Sequence, residues 1–135
     1  MAVLVLTNAN VLINAVDLSA IVRSVSVDYQ ANLQDKTAMG ATAHARLGGL
    51  KDYTLTLEFN QDFAAASVDA TLFPIVGTSV AIEVRPVNAA RSATNPAYTG
   101  NAILAQYKPI GGKVGDMFIA PATFNGDGAL ARQIV

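Results

Sequence analysis

Strict alternation of apolar and polar side chains runs through Tyr53-Thr54-Leu55-Thr56-Leu57-Glu58-Phe59-Asn60. Because successive side chains of an extended strand point to opposite faces, this order places the large apolar residues on one face and the polar ones on the other. The stretches Ser24–Tyr29 and Ser79–Arg85 repeat the pattern. Apolar and polar faces of this kind are typical of half-buried antiparallel strands.

Weaker strand signals predict further strands at Val11–Ile13, Tyr98–Tyr107 and Met117–Phe124. Pro121 lies within the last of these and favours an edge position or a bulge, because proline lacks the N–H that a ladder needs. One helix is predicted over Ala64–Phe73, where apolar residues recur at helical spacing. The chain is therefore expected to be mainly β, with one short helix that covers an open end of the sheet.

The composition indicates a subunit of an assembly. Charged residues make up 14% of the 135 residues and hydrophobic ones 52%, whereas about a quarter of an ordinary domain is charged. No apolar run approaches the roughly 18 residues of a membrane span, and the start of the chain lacks the cationic region of a signal peptide. A single domain over 1–135, without a membrane partner, is expected, and its apolar surface calls for partner subunits.

Three parts of the chain do not fit a compact core: Gln30–Gly49, the shorter segment Val87–Ala97, and the two termini. Gln30–Gly49 predicts a long loop of small and polar residues, either a mobile hairpin tip or an arm that orders against a neighbouring subunit. An N-terminal arm (1–9) and a C-terminal arm (129–135) are apolar enough to pair with a sheet edge, their own or a neighbour's. The residues expected at inter-subunit contacts are Leu33, Met39, Leu47, Val3, Val5, Leu130 and Ile134.

No catalytic, cofactor-binding or metal-ligating residues are expected. His44 is the single histidine and lies among small residues without a partner nearby in sequence, and the chain has no cysteine. Glu58 and Glu83 are the better candidates, since on neighbouring strands they would approach the ~5–9 Å spacing of a glycosidase pair. The absence of tryptophan counts against a sugar site, and a solvated polar face is the favoured interpretation.

The polar faces of the three best strands are small, hydroxylated and net acidic. Asp28, Glu58 and Glu83 lie on these faces. Arranged around a ring, such a face would form a wall that repels polyanions, because phosphate backbones bind where Lys and Arg are presented. These three residues are therefore candidates to face a lumen. The net charge of −1 also argues against tight, specific nucleic-acid binding.

Several stretches resemble the tail tube (major tail) proteins of long-tailed bacteriophages, especially those that infect actinobacteria. The resemblance extends from about Val11 to Leu130 and marks a scaffold without a catalytic signature. It is carried by Asn14–Ser19, Val22–Val25, Leu50–Phe63, Asp69–Phe73, Glu83–Pro86, Thr94–Gly100, Pro109–Gly112 and Phe124–Gly128.

The resemblance implies an antiparallel β-sandwich or barrel with one flanking helix. It also implies hexameric rings that stack into a hollow tube through which genomic DNA passes without specific binding, with the loop and the terminal arms reaching between rings. The other partners would be further tail proteins, such as the tape measure and the tail terminator. The location would be the virion tail, after synthesis in the host cytoplasm.

Two alternatives to a tube subunit remain open from the sequence. A capsid decoration or head–tail joining protein would share the virion and the assembling surface. A carbohydrate-binding or glycosidase-like β-sandwich belongs to a different class and would use Glu58.

Overall fold

A computed structural model of the protein describes residues 3–135. Within that range the chain forms eight strands in one sheet, with one short helix. The strands are β1 (Asn10–Ile13), β2 (Val16–Asp17), β3 (Val22–Asp35), β4 (Arg46–Asn60), β5 (Ser79–Arg85), β6 (Ala97–Tyr107), β7 (Ile119–Gly126) and β8 (Ala131–Gln133), and the helix is α1 (Val68–Leu72).

The sheet is antiparallel and curls around one core. Its strand order is β2-β1-β5-β6-β7-β4-β3, with β8 beside β6 beyond the end of β7. Although β3 and β5 are far apart in this order, Val25 and Val27 line one small apolar cleft together with Val84. The predicted mainly β fold with one short helix is thus confirmed, and the curled sheet is consistent with a β-sandwich-like fold.

The three strongest strand predictions are confirmed. The apolar faces of β4 and β5 are buried, and those of β1, β6 and β7 complete the core. On β3, Val25 and Val27 are half-buried and pack against that core, whereas Tyr29 on the same face is 50% exposed. Tyr29 is followed on β3 by residues 30–35, which are all exposed, so it marks the end of the buried part of this strand.

The Tyr53 side chain packs against two glycines of the sheet. Its ring is fully buried and lies over Gly126, and its hydroxyl donates a hydrogen bond to the Asn101 carbonyl. A Cβ at Gly126 would come within 2.6 Å of the ring, and one at Gly100 within 2.6 Å of the hydroxyl oxygen. The sheet therefore leaves room for this large side chain by carrying no side chain at two neighbouring positions.

The helix is shorter than predicted. It spans Val68–Leu72 and continues as a tight 3-10 turn, whereas residues 64–67 form turns in which Ala66 has a φ of 59°. That left-handed backbone conformation prevents the helix from starting at Ala64. Val68 and Leu72 are fully buried and belong to the core, so the helix covers one end of the sheet as expected.

A short network of polar side chains holds α1 against the end of the sheet. The Tyr107 hydroxyl donates to the Asp69 carboxylate at 3.0 Å and accepts a hydrogen bond from the Gln61 amide at 2.9 Å. Burial, with the charge of Asp69 adding to it, raises the pKa of Tyr107 to about 12. The start of α1 is thereby held to the end of β6.

The long loop expected at Gln30–Gly49 is largely a β-hairpin, and that expectation was wrong. β3 continues to Asp35 and β4 begins at Arg46, so only ten residues, 36–45, lie outside the strands. The backbones pair as far as Asp35 with Arg46. Alternation is absent from this part of the sequence because both faces of the ribbon are exposed, and neither face then requires apolar residues.

Pro121 was expected at an edge or a bulge, but β7 lies inside the sheet between β4 and β6. Pairing with β6 stops at Ala122, after a register shift between Leu104 and Gln106. Pro121 therefore lies just past the last paired residue of β6, where its carbonyl accepts a hydrogen bond from the Lys108 N–H at 3.1 Å. Its missing N–H breaks no β6–β7 pair.

The loop over 87–97 is held in shape by one side chain, Asn95, which the sequence pattern did not indicate. Asn95 is 7% exposed, and its amide donates to the carbonyls of Val87, Ala89 and Ala90 while its side-chain oxygen accepts the Val87 N–H. One buried side chain thus supplies the backbone groups of this irregular loop with the hydrogen bonds that a neighbouring strand would otherwise provide.

The two ends of the chain differ. Ala131–Gln133 pairs with β6 of the same subunit, whereas residues 3–6 are exposed and form no strand. Positions 1 and 2 of the expected N-terminal arm lie outside the described residues. Within residues 3–135, no helix has the length and hydropathy that crossing a membrane requires.

Candidate functional site

The outer face of the sheet, opposite the core, brings the predicted polar residues into register. Ser26, Thr56 and Thr123 stand side by side across β3, β4 and β7. The next row consists of Asp28, Thr54 and Asn125. Hydroxyl and amide groups thus continue from β3 over three strands. The contribution of β7 was missed from the sequence, although Ala122-Thr123-Phe124-Asn125 alternates in the same way.

The three candidate lumen-facing carboxylates occupy this face, but two of them have arginine partners. Glu58 lies 3.5 Å from the Arg23 guanidinium. Glu83 is held by Arg85 at 2.6 Å and Arg91 at 2.5 Å. Asp28 is exposed and forms no ion pair within residues 3–135. The face is therefore close to neutral where the sequence pattern indicated an acidic one.

Glu83 also anchors the C-terminal strand. Its side chain is 13% exposed, and Arg91, which binds one of its oxygens, also donates to the Gln133 side chain at 2.6 Å. Burial by itself would raise the pKa of Glu83, but the hydrogen bonds and charges of Arg91 and Arg85 outweigh it and hold the pKa below the ordinary 4.5. The carboxylate form is thus the one that the fold stabilises.

This ion cluster predicts acid sensitivity. A carboxyl group whose pKa is lower in the folded state contributes stability above its unfolded pKa and loses it as the pH falls through the folded value. We expect Glu83→Gln to cost about 1–2 kcal/mol at pH 7. It should cost less at pH 3, which lies below the ordinary pKa of the carboxyl group, because the unfolded state then binds the proton that the folded carboxylate resists. Urea unfolding at both pH values measures this, with Asp28→Asn as the unpaired control. An equal cost at both pH values would contradict the assignment.

Glu58 and Glu83 do not form the carboxylate pair of a glycosidase. The strand order places β7 and β6 between β4 and β5, which separates the two by about 14 Å along the sheet at the usual strand spacing. Glu58 also pairs with Pro121 near one end of the sheet, whereas Glu83 pairs with Thr99 beyond the end of β7. A glycosidase pair needs ~5–9.5 Å, so this candidate site is not assembled.

His44 lies at the tip of the β3–β4 hairpin. Its ring is 3.7 Å from the Asp35 carboxylate and 70% exposed. The Thr37 hydroxyl, and with it the Thr37 N–H, lowers the pKa of the Asp35 carboxyl group by hydrogen bonding to it. Among residues 3–135, no three His, Asp or Glu side chains are grouped closely enough to hold a metal ion.

The hairpin is ordered to its tip and projects from the core. The Lys36 N–H donates to the Ala45 carbonyl at 2.8 Å, and the Ala45 N–H donates to the Thr37 hydroxyl at 2.7 Å. Beyond Tyr29 on β3 and before Tyr53 on β4, the ribbon contributes nothing to the core. A β-ribbon of this length with no layer packed on it is unusual for a lone subunit.

The apolar residues of the hairpin face in different directions. Leu33 pairs with Gly48 and Gln34 pairs with Leu47, so Leu33 and Leu47 stand on opposite faces of the ribbon. Both are 57% exposed, and Met39 at the tip is completely exposed. Of the remaining candidate contact residues, Val3 and Val5 are exposed, Ile134 is 41% exposed, and Leu130 packs partly on the core of its own subunit.

No family model and no curated protein matches this chain. Its fold is similar to that of a chain from the virion of a native gene transfer agent particle, with a TM-score of 0.75, 14% identity, and coverage of 93% of this chain and 95% of the other. It is also similar to a chain from the tail of an empty gene transfer agent particle with C6 symmetry, with a TM-score of 0.66, 14% identity, and coverage of 82% and 81%.

Proposed function

We propose that this protein is a structural subunit of a phage-like virion, a tail tube protein that assembles as stacked hexameric rings into a hollow tube for DNA. The observation that carries the proposal is the likeness of fold, over 93% of this chain, to a chain of the virion of a gene transfer agent particle. A second similar chain belongs to a tail with C6 symmetry. The role is mechanical, and it needs no catalytic group.

The hairpin supports the proposal as the arm between subunits. Leucines on both faces of an otherwise bare ribbon suit a segment that inserts between two neighbours, because a single partner would cover only one face. Permanent assemblies bury about 2,000–5,000 Å² per interface. The exposed ends at Val3, Val5 and Ile134 would add to that area.

The outer face of the sheet is the surface that we assign to the lumen, with Asp28, Glu58 and Glu83 on it. Its Ser, Thr and Asn side chains offer hydrogen bonds, and the arginines nearby are engaged with carboxylates. DNA binds nonspecifically through free cations. A face on which the arginines are paired with carboxylates, as they are here within residues 3–135, would let DNA pass without retaining it. Tape-measure and terminator proteins are the further tail partners expected for such a tube.

Electron microscopy of the concentrated protein tests this function. We expect hollow filaments of uniform width with sixfold symmetry in cross-section. A decoration or head–tail joining protein would give isolated particles or single rings and would bind to capsids. A protein that remains monomeric in sedimentation at high concentration would contradict the proposal.

A further inference from the structure

The curled sheet is open on one side, between β3 and β5. β3 is the last strand of the sheet, and no strand within residues 3–135 pairs with its outer edge. An apolar cleft of about 180 Å³ lies at this opening, and its walls include Val25 and Val27 of β3 and Val84 of β5. Unpaired edges are normally covered or interrupted, because they offer backbone groups to other chains. This side of the molecule therefore has room for one more segment.

The size and chemistry of the cleft restrict what can fill it. Its volume of about 180 Å³ is below the roughly 300–1,000 Å³ of small-molecule pockets. Arg85 is the one charged residue that lines it within residues 3–135, and its guanidinium is already bound by Glu83 at 2.6 Å. The cleft therefore suits the aliphatic side chains of a neighbouring piece of polypeptide.

The N-terminal segment Val3–Leu6 leads directly to this cleft. Leu6 and Ala9 line it, and Ala9 is buried. The Asn88 N–H donates to the Asn8 carbonyl at 2.7 Å, which fixes the chain just after the segment. A second groove, of about 280 Å³, separates this stretch from the first residues of β3. The segment thus starts beside the open edge, with a gap between the two.

The four residues of the segment present two different faces. Leu4 and Leu6 are 52% and 59% exposed, whereas Val3 and Val5 are 79% and 84% exposed. Side chains of an extended segment alternate between its two faces. The leucines therefore share the face that turns towards the molecule, and the valines share the face that turns away.

The direction of the chain brings these leucines to the apolar face of β3. β1 is hydrogen-bonded to the turn that precedes β3, and a few residues before β1, Leu6 shares the apolar cleft with Val27. The N-terminal stretch and β3 therefore run in opposite directions. Leu4, two residues further back, comes level with Tyr29, the half-exposed residue at the end of the apolar face of β3.

We propose that residues 3–6 form a strap that closes on the edge of β3 in their own subunit, with the two leucines towards Tyr29 and the two valines outward. In the free subunit the strap covers the apolar cleft and keeps the edge of β3 from pairing with other chains. The outward valines remain available to neighbouring subunits. The strap belongs to the free subunit and does not depend on the proposed tube.

Disulfide trapping tests the strap, since the chain has no cysteine of its own. The double variant Leu4→Cys, Tyr29→Cys is oxidised at a concentration too low for association. The control is Val3→Cys, Tyr29→Cys, in which the first thiol lies on the outward face. We expect the intramolecular disulfide to form at least about tenfold faster in the Leu4 pair, because the closed strap raises the effective concentration of facing thiols. Mass spectrometry of the unreduced monomer measures both rates.

The outcomes separate the strap from the proposed function. Equal rates in the two pairs indicate a segment without a preferred face and overturn the strap. Disulfides that form only between subunits also overturn it, because the segment then belongs on a neighbour. Faster closure of the Leu4 pair supports the strap whether or not electron microscopy shows filaments.

A second pair of variants is independent of cysteine chemistry. We expect Leu4→Ser with Leu6→Ser to speed amide hydrogen exchange over residues 22–29 by roughly tenfold in the monomer, because the opened strap exposes that edge to water. Val3→Ser with Val5→Ser makes the same change on the outward face and should stay within about twofold of the natural protein. Circular dichroism checks that both variants fold. Equal exchange in the two variants would overturn the strap.

Discussion

A chain in which Ala31 is joined to Lys51 through an Asn-Gly turn will fold and will not form filaments. The two residues face each other across β3 and β4, and Asn-Gly is the preferred two-residue hairpin turn. The 32–50 segment that this change removes contributes no residue to the core. The shortened chain therefore keeps the whole core and loses both the leucines of the ribbon and the Met39 tip.

Two measurements check the shortened chain. Urea unfolding should give a free energy of unfolding within about 0.5 kcal/mol of that of the natural protein, as for other surface changes. Electron microscopy should show no filaments at concentrations where the natural protein forms them. The control is the double variant Leu33→Ser, Leu47→Ser, which keeps the full length of the ribbon. It shows whether assembly depends on the length of the ribbon or on its two leucines. Filaments of normal length from the shortened chain would contradict the role of the hairpin.

The same hairpin shows where sequence patterns stop being informative. Alternation located Tyr53–Asn60 because one face of that segment is buried and the other is solvated. The continuation of β4 towards Arg46 has no buried face, so its residues carry no period of two, and the backbone pairing alone makes it a strand. Periodicity reports only which residues pack within one subunit, so a ribbon without a buried face gives no strand signal.

The polar face of the sheet was predicted in part. Alternation placed Asp28, Glu58 and Glu83 on the faces opposite the core, and the register agrees. The neutralising partners were not predictable, since Arg91 reaches Glu83 from an irregular loop that Asn95 organises. Likewise, the wide separation of Glu58 and Glu83 follows from the order of the strands, which alternation does not determine.

Replacing Tyr53 by alanine will destabilise the protein more than any surface change. The ring is fully buried and lies against Gly126 at the end of β7. Its removal leaves a cavity that rigid backbone cannot fill, and we expect a loss of about 3–5 kcal/mol. Tyr53→Phe keeps the ring and removes the hydrogen bond to the Asn101 carbonyl, for a loss of about 1 kcal/mol. Urea unfolding monitored by circular dichroism measures both.

A substitution at Gly100 tests whether this glycine is needed to make room for the Tyr53 hydroxyl group. A Cβ at this position would lie 2.6 Å from the Tyr53 hydroxyl oxygen, its nearest neighbour, so Gly100→Ala should cost about 1–3 kcal/mol by overpacking. In the Tyr53→Phe background that oxygen is absent, and the same alanine should cost less, by a coupling of about 1 kcal/mol. Gly48→Ala is the matched control, because a Cβ there meets nothing within 4 Å. If the two substitutions at positions 53 and 100 are simply additive, the glycine serves some purpose other than room for the tyrosine.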